Sequence, residues 1–299
     1  MVRKMVGNNN VDFKKKVIHW RKMPIGSGII LFLFFFAAAF APFIATHDPI
    51  LQDLGHTLMP PAWEADGSLE HLLGTDNMGR DVFSRLIYGS RISLTVGLFA
   101  VLIGLIFGTW VGLMAGFWGG RVDTLIMRLA DMQLAVPFIM LAITIIGVFG
   151  SSTVNVIIVL ALGTWPNYAR MIRGEVLSIK QNDFVELAVI VGCKAGRIIL
   201  IHILPNVVNT LIVMATLNFG TMIIFEGGLS FLGVGVQPPA PSWGGMLADG
   251  RAYLTVAWHL ATFPGLAIML VVLGTNMFGD WLRDVLDPKR NNSLKAEKD

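Results

Sequence analysis

D-F-V-E-L-A-V-I-V-G-C-K-A-G-R-I-I-L-I-H-I-L-P-N, running from Asp183 to Asn206, is apolar on most of its faces, yet it sits in a long loop between two still more apolar segments. Phe184, Leu187, Ala188 and Val191 recur at the i, i+3, i+4, i+7 spacing of one helix face. Val185, Val189 and Ile190 are apolar as well, and a helix apolar on most sides is buried on most sides. Asp183 is placed to cap this helix, with Glu186 reaching back from the third position as in a capping box. Gly192 is the expected stop. A second helix follows from Lys194, and Pro205 fits the first turn of the next segment. The expectation is a helix–turn–helix lying against a membrane surface. One side can rest on the protein itself, and the other needs a cover. Residues 184–191 carry no Lys or Arg, whereas a helix held at a lipid interface shows a basic polar face. The cover is therefore expected to be another protein.

The rest of the chain says what that loop interrupts. Of 299 residues, 54% are hydrophobic and 14% charged, against about 25% charged in soluble domains, and the mean hydropathy is +0.66. The class is an all-α integral membrane protein, because backbone polar groups in lipid must be satisfied within their own segment. A span needs roughly 20 mainly apolar residues. Six segments qualify: 25–47, 91–116, 123–148, 152–172, 205–234 and 256–282. With both termini inside, nineteen of the 23 Lys and Arg residues fall on inside segments, and only Arg80, Arg85, Arg91 and Arg251 lie outside. That asymmetry sets the orientation and explains the net charge of +3 without nucleic acid. The first segment has a basic start and an Ala-rich end (Ala37, Ala39, Ala41). Its apolar run is longer than the 7–15 residues usual in a signal peptide, so an uncleaved anchor is expected. The single cysteine, Cys193, excludes an intrachain disulfide.

Within the spans, Gly104, Gly108, Gly112 and Gly116 share one helix face and allow close approach of another helix. That helix could belong to this subunit, or the face could form a subunit interface or line a pathway. Arg128 and Asp131 lie three apart in the third span, each costing about 2.5–3.5 kcal/mol at mid-bilayer. The twelve Leu, Ile, Val and Phe residues of that segment return roughly 0.3–0.6 kcal/mol each. The balance is near zero, so the two ions are expected to pair, with a transport role as the alternative. Glu226, followed by Gly227 and Gly228, reads either as a functional carboxylate at an interrupted helix or as a polar group at the outer interface. In the outside segment, Asp81 and Arg85 have the spacing of an i,i+4 pair on a short surface helix. The six histidines show no metal-ligand spacing, and no metal site is expected. There is no G-x-x-x-x-G-K-[ST] and no Gly-Lys pair, so the chain lacks a phosphate-binding loop.

These segments together resemble one family. Glu186-Leu187-Ala188, Gly192 and then His202-Ile203-Leu204-Pro205 follow the coupling-loop pattern of ABC importer permeases, E-A-A, three residues, Gly, nine residues, I-x-L-P. Leu187 replaces the middle Ala and His202 the Ile. The second departure is familiar in the dipeptide/oligopeptide/nickel branch. Leu73 to Asp81 (L-G-T-D-N-M-G-R-D), Ser230 to Pro239, Ser242-Trp243-Gly244 and Gly279 to Pro288 are similar to the same branch, and point to its C-type, shorter permease. The resemblance implies a type I (MetI-like) importer permease in the bacterial cytoplasmic membrane. Its expected organisation is a tail over 1–24, the first helix over 25–47, an outside segment over 48–90, a five-helix transmembrane domain over 91–284 with the coupling loop at 173–204, and a tail over 285–299.

The resemblance also implies partners: a second homologous permease, two cytoplasmic ATPases that hold ATP and magnesium, an extracytoplasmic binding protein and membrane lipid. No cofactor is expected on this chain, nor any catalytic residue. Asp183, Phe184, Glu186, Leu187, Ala188, Gly192, Lys194, Arg197 and Pro205 are the expected coupling residues. Of these, Glu186 orients the helix, Ala188 admits the partner, and Lys194 and Arg197 form the rim. Short peptides are the expected cargo, with nickel chelates, glutathione and opines as alternatives. The competing classes are an ion-coupled secondary transporter, which calls for paired broken helices in two repeated halves, and a non-transporting membrane scaffold.

Overall fold

The computed structural model describes residues 24–286; the expected cytoplasmic tails lie almost wholly outside them. The described residues hold no extended strand, and their helices run in the order α1 (Ile25–Ala39), α2 (Ala41–Ile44), α3 (Val82–Trp118), α4 (Gly120–Leu134), α5 (Phe138–Phe149), α6 (Thr153–Ile179), α7 (Asp183–Ile190), α8 (Ala195–Arg197), α9 (Leu204–Phe231), α10 (Trp243–Gly250) and α11 (His259–Leu286). By length and composition, Val82–Trp118, Ala195–Phe231 and His259–Leu286 are able to cross a membrane, and α4 with α5 makes a fourth such segment if counted as one.

That fourth segment corrects the sequence reading. The expected third span, 123–148, is not one helix: α4 and α5 meet at 89°. Pro137 supplies no N–H to continue the ladder and disfavours helical backbone at Val136. The near-zero insertion balance of this stretch has the same origin, since its ionic half belongs to an amphipathic helix docked on α6. Asp123 of α4 forms a two-pronged pair with Arg173 of α6, 2.5 Å to Nε and 2.6 Å to Nη2. Asp131 of α4 pairs with Arg170, also of α6. The expected Arg128–Asp131 pair is therefore not made; Arg128 is exposed.

The central contact of the fold is α3 against α6, and the glycine face makes it. A Cβ on Gly108 would stand 2.7 Å from the Trp165 carbonyl oxygen, one on Gly112 2.6 Å from that of Ala169, and one on Gly116 2.6 Å from Val176 Cβ. Gly104 meets Thr164 in the same way. All four glycines are thus spent on packing inside this subunit. Around this pair, α5, α9, α10 and α11 close one core built on Leu94, Val156, Leu160, Ile223 and Trp243. A second core, with Leu113, Tyr168, Ile172 and Val176, extends toward the α6–α9 connection.

Candidate functional site

The α6–α9 connection is shorter than 173–204. Helix α6 continues to Ile179, and the helical stretch that leads into α9 begins at Ala195. The expected second loop helix is not separate. Three residues of α8 lead through a π-helical segment, Ile198–Ile203, directly into α9. Pro205 is the reason: its ring would meet the carbonyl of Ile201, four residues back, and the wider π turns fall across that point.

Helix α7 stands alone in the connection. Its N-cap is Asn182 rather than Asp183, and no side chain caps it. The expected capping box is absent. Asp183 and Glu186 instead place negative charge in the first turn, where the helix dipole favours it. The C-terminus is a Schellman motif: Gly192 N–H donates to the Val189 carbonyl at 2.9 Å, and Cys193 N–H to that of Ala188 at 3.0 Å. Gly192 has φ +81°, the left-handed conformation this motif needs.

Val185 is buried in the second core, which also holds Val176, Ile179 and Ile199, and Ala188 and Cys193 pack against that core. Ala188 is thus partly buried against the protein's own core. The outward side is the apolar one: Leu187 is 58% exposed, Ile190 73% and Val191 80%. Phe184 and Val189 are exposed with them, and Phe184 reaches the His202 ring at 6.4 Å. Lys194 and Arg197 are exposed just beyond. The surface is a compact apolar ledge with two acids at its start and two cations at its end.

Glu226 occupies the opposite kind of place. No interrupted helix surrounds it: α9 runs unbroken through Gly227 and Gly228, and Glu226 is fully buried. Ser93 Oγ of α3 donates to Oε2 at 3.0 Å, and Ser230 Oγ to Oε1 at 2.9 Å. Ser93 Oγ in turn accepts the Trp243 N–H of α10 at 3.2 Å. A Cβ on Gly244 would stand 2.6 Å from Gly227 Cα, so the glycine beside Glu226 serves the close crossing of α9 and α10. Glu226 is the polar centre of a three-helix junction.

The segment before α3 is also organised differently from its sequence reading. Asp81 does not pair with Arg85. It caps α3, with Oδ2 accepting the Ser84 N–H at 2.7 Å, and what was expected as a short surface helix is the start of the 37-residue α3. Arg85 turns to Asp76 at 3.4 Å and to Asp249 at 3.6 Å, sharing both with Arg80. His47, His71 and Asp81 present side-chain ligand atoms that all lie within 4.8 Å of one another. Residues this far apart in sequence leave no spacing signal, so only the fold reveals the cluster.

A family model described as binding-protein-dependent transport system inner membrane component matches residues 108–292, and one described as the N-terminal TM domain of oligopeptide transport permease C matches 21–61. The chain is 44% identical to the di/tripeptide transport system permease protein DppC of Pseudomonas aeruginosa, over 94% of this chain and 93% of that one. It is 45% identical to the dipeptide transport system permease protein DppC of Alkalihalophilus pseudofirmus, over 92% and 88%. It is 44% identical to the glutathione transport system permease protein GsiD of Escherichia coli, over 90% and 89%. In fold it is similar to a chain of the inward-facing MetNI methionine ABC transporter, with TM-score 0.56 and 21% identity, covering 69% of this chain and 97% of that one.

Proposed function

The chain belongs to the binding-protein-dependent transport system inner membrane components, and from that premise we propose that it forms half of the translocation pathway for di- and oligopeptides. It is an ABC-importer permease of the bacterial inner membrane and not a catalyst; ATP hydrolysis belongs to partner subunits. In our reading the partners are a second homologous permease, two cytoplasmic ATPases carrying ATP and magnesium, and an outside binding protein, with no cofactor on this chain. Six membrane passages with both termini in the cytoplasm fit the distribution of Lys and Arg. They require α1 with α2, and also α6, to cross beside α3, the α4–α5 pair, α9 and α11.

The observation that carries the coupling role is the exposed ledge of α7. It is held from below by Val185 and ended by Gly192, yet nothing among the described residues covers it. We assign it to a cleft on a cytoplasmic ATPase, with Phe184, Leu187, Ile190 and Val191 as the apolar contact. Asp183, Glu186, Lys194 and Arg197 form the rim. Gly192 and Pro205 hold the shape, and Ala188 seats the helix on its own protein.

Peptide cargo rests on the similarity to the two peptide permeases, and glutathione is the second reading because the glutathione permease is equally similar. Nickel chelates and opines are further cargoes that a machine of this kind would suit. The test is uptake by the reconstituted importer with its own binding protein, offered labelled dipeptide, longer peptide, glutathione or chelated nickel. Dipeptide uptake that stops when ATP hydrolysis is blocked is expected. Uptake of glutathione or nickel alone would move the cargo, and uptake surviving the block would favour an ion-coupled carrier.

A further inference from the structure

We propose that His47, His71 and Asp81 form a binding site for one divalent first-row transition ion of the zinc type, clamping the segment after α2 onto the start of α3. Two imidazoles and one carboxylate suit zinc and its neighbours, whereas calcium and magnesium call for oxygen ligands throughout. The ligand separations suit it too. His71 Nδ1 is 3.0 Å from Asp81 Oδ1, and His47 Nδ1 is 3.9 Å from Asp81 Oδ2. The His71–Asp81 separation is close to the edge of about 3.3 Å that a tetrahedron with bonds of 2.0–2.1 Å would have, and the full set, within 4.8 Å, draws in further when it closes on an ion. The two rings lie side by side at 4.8 Å between centroids, and binding one ion requires the His47 ring to turn from its contact with the Thr46 hydroxyl at 3.0 Å.

The surroundings are those of a built site rather than a chance meeting of surface groups. His71 and Asp81 are buried, 8% and 2% exposed. Asp81 Oδ2 is oriented by the Ser84 N–H at 2.7 Å and by the Thr46 hydroxyl at 3.5 Å, the outer support that fixes a ligating carboxylate. The His47 main-chain N–H is itself held by Ser84 Oγ at 3.0 Å, so the backbone of this ligand is tied to α3 before any ion arrives. The His47 side chain remains 30% exposed, which leaves an approach from solvent and a fourth position for water. None of this depends on what the permease carries.

The test uses the intact importer, stripped with chelator and titrated with zinc by calorimetry, with metal content counted after gel filtration. Partner chains can bind zinc themselves, so the difference between wild type and His47→Gln is the reading. One additional zinc per copy of this chain is expected in wild type, with an upward thermal shift. His47→Gln, which leaves the α3 cap intact, should weaken that zinc by about tenfold or more and abolish the shift. His71→Gln should do the same where it folds. Equal zinc content and affinity in wild type and His47→Gln would overturn the proposal, because the three side chains would then be a hydrogen-bonded cluster alone.

Discussion

Replacing both Leu187 and Ile190 by serine removes most of the apolar contact that α7 offers while leaving its own seat untouched. Their side chains are 58% and 73% exposed, and full burial of a Leu or Ile is worth about 1.5–3 kcal/mol. Covering the exposed fractions therefore stabilises a complex by roughly 1–2 kcal/mol per residue, or about 2–4 kcal/mol for the pair. At about 1.4 kcal/mol per decade this is a loss of about 30-fold to several hundred-fold in affinity. The folding cost is small, because serine costs only a few tenths of a kcal/mol more than leucine within a helix. The assay is the amount of ATPase that co-purifies with the tagged permease across a dilution series, with peptide uptake measured alongside. Val185→Ser is the contrasting control. It is 2% exposed, so it should lower yield and thermal stability instead of weakening association selectively. Wild-type ATPase retention and uptake in the double variant, with normal insertion, would refute the assignment of this ledge.

Gly192→Val forces a β-branched residue to φ +81°, at a cost of about 1–2 kcal/mol for the left-handed conformation. Uptake should fall sharply while the protein still inserts, and Gly192→Asn should retain more, as read by peptide uptake at matched membrane levels. Gly112→Leu drives a side chain toward the Ala169 carbonyl, 2.6 Å from the first atom. Overpacking of this kind costs about 1–3 kcal/mol or more, and the melting temperature in detergent should drop. Gly174→Ala, with nothing within 4 Å, should leave it unchanged or raise it. Glu226→Ala strands the Ser93 and Ser230 hydroxyls in the core, costing about 1–3 kcal/mol for each group left unpaired. A lowered melting temperature is expected, with Glu226→Gln retaining more stability because its amide still offers an acceptor.

The sequence was most informative where the physics is local. The apolar run after Asp183 and the glycine at 192 specify a short helix and its stop, because helix spacing and the left-handed turn involve neighbouring residues alone. It misplaced the cap by one residue, since Asn182 and Asp183 are both able to occupy that position and only the path of the chain leaving Ile179 chooses between them. It read Phe184, Leu187, Ala188 and Val191 as one face, but could not say that Phe184, Leu187 and Val191 stay exposed while Ala188 and Val185 turn inward. That depends on where Val176 and Ile199 stand.

Partner choice was the part that spacing could not supply. Arg128 lies one turn from Asp131 and Arg85 one turn from Asp81, yet Asp131 pairs with Arg170 on another helix and Asp81 is committed to capping. An i,i+4 pair is worth only about 0.2–0.5 kcal/mol, too little to hold a carboxylate that packing brings to a better partner. Sequence by itself determined the membrane class, the helical content, the glycine face and the α7–Gly192 unit, because composition and near-neighbour geometry carry that information. Tertiary structure alone decided the burial of Glu226 against a serine 133 residues away, and the meeting of His47, His71 and Asp81. Each of these follows from which helices lie side by side, and that is a property of the whole packed chain.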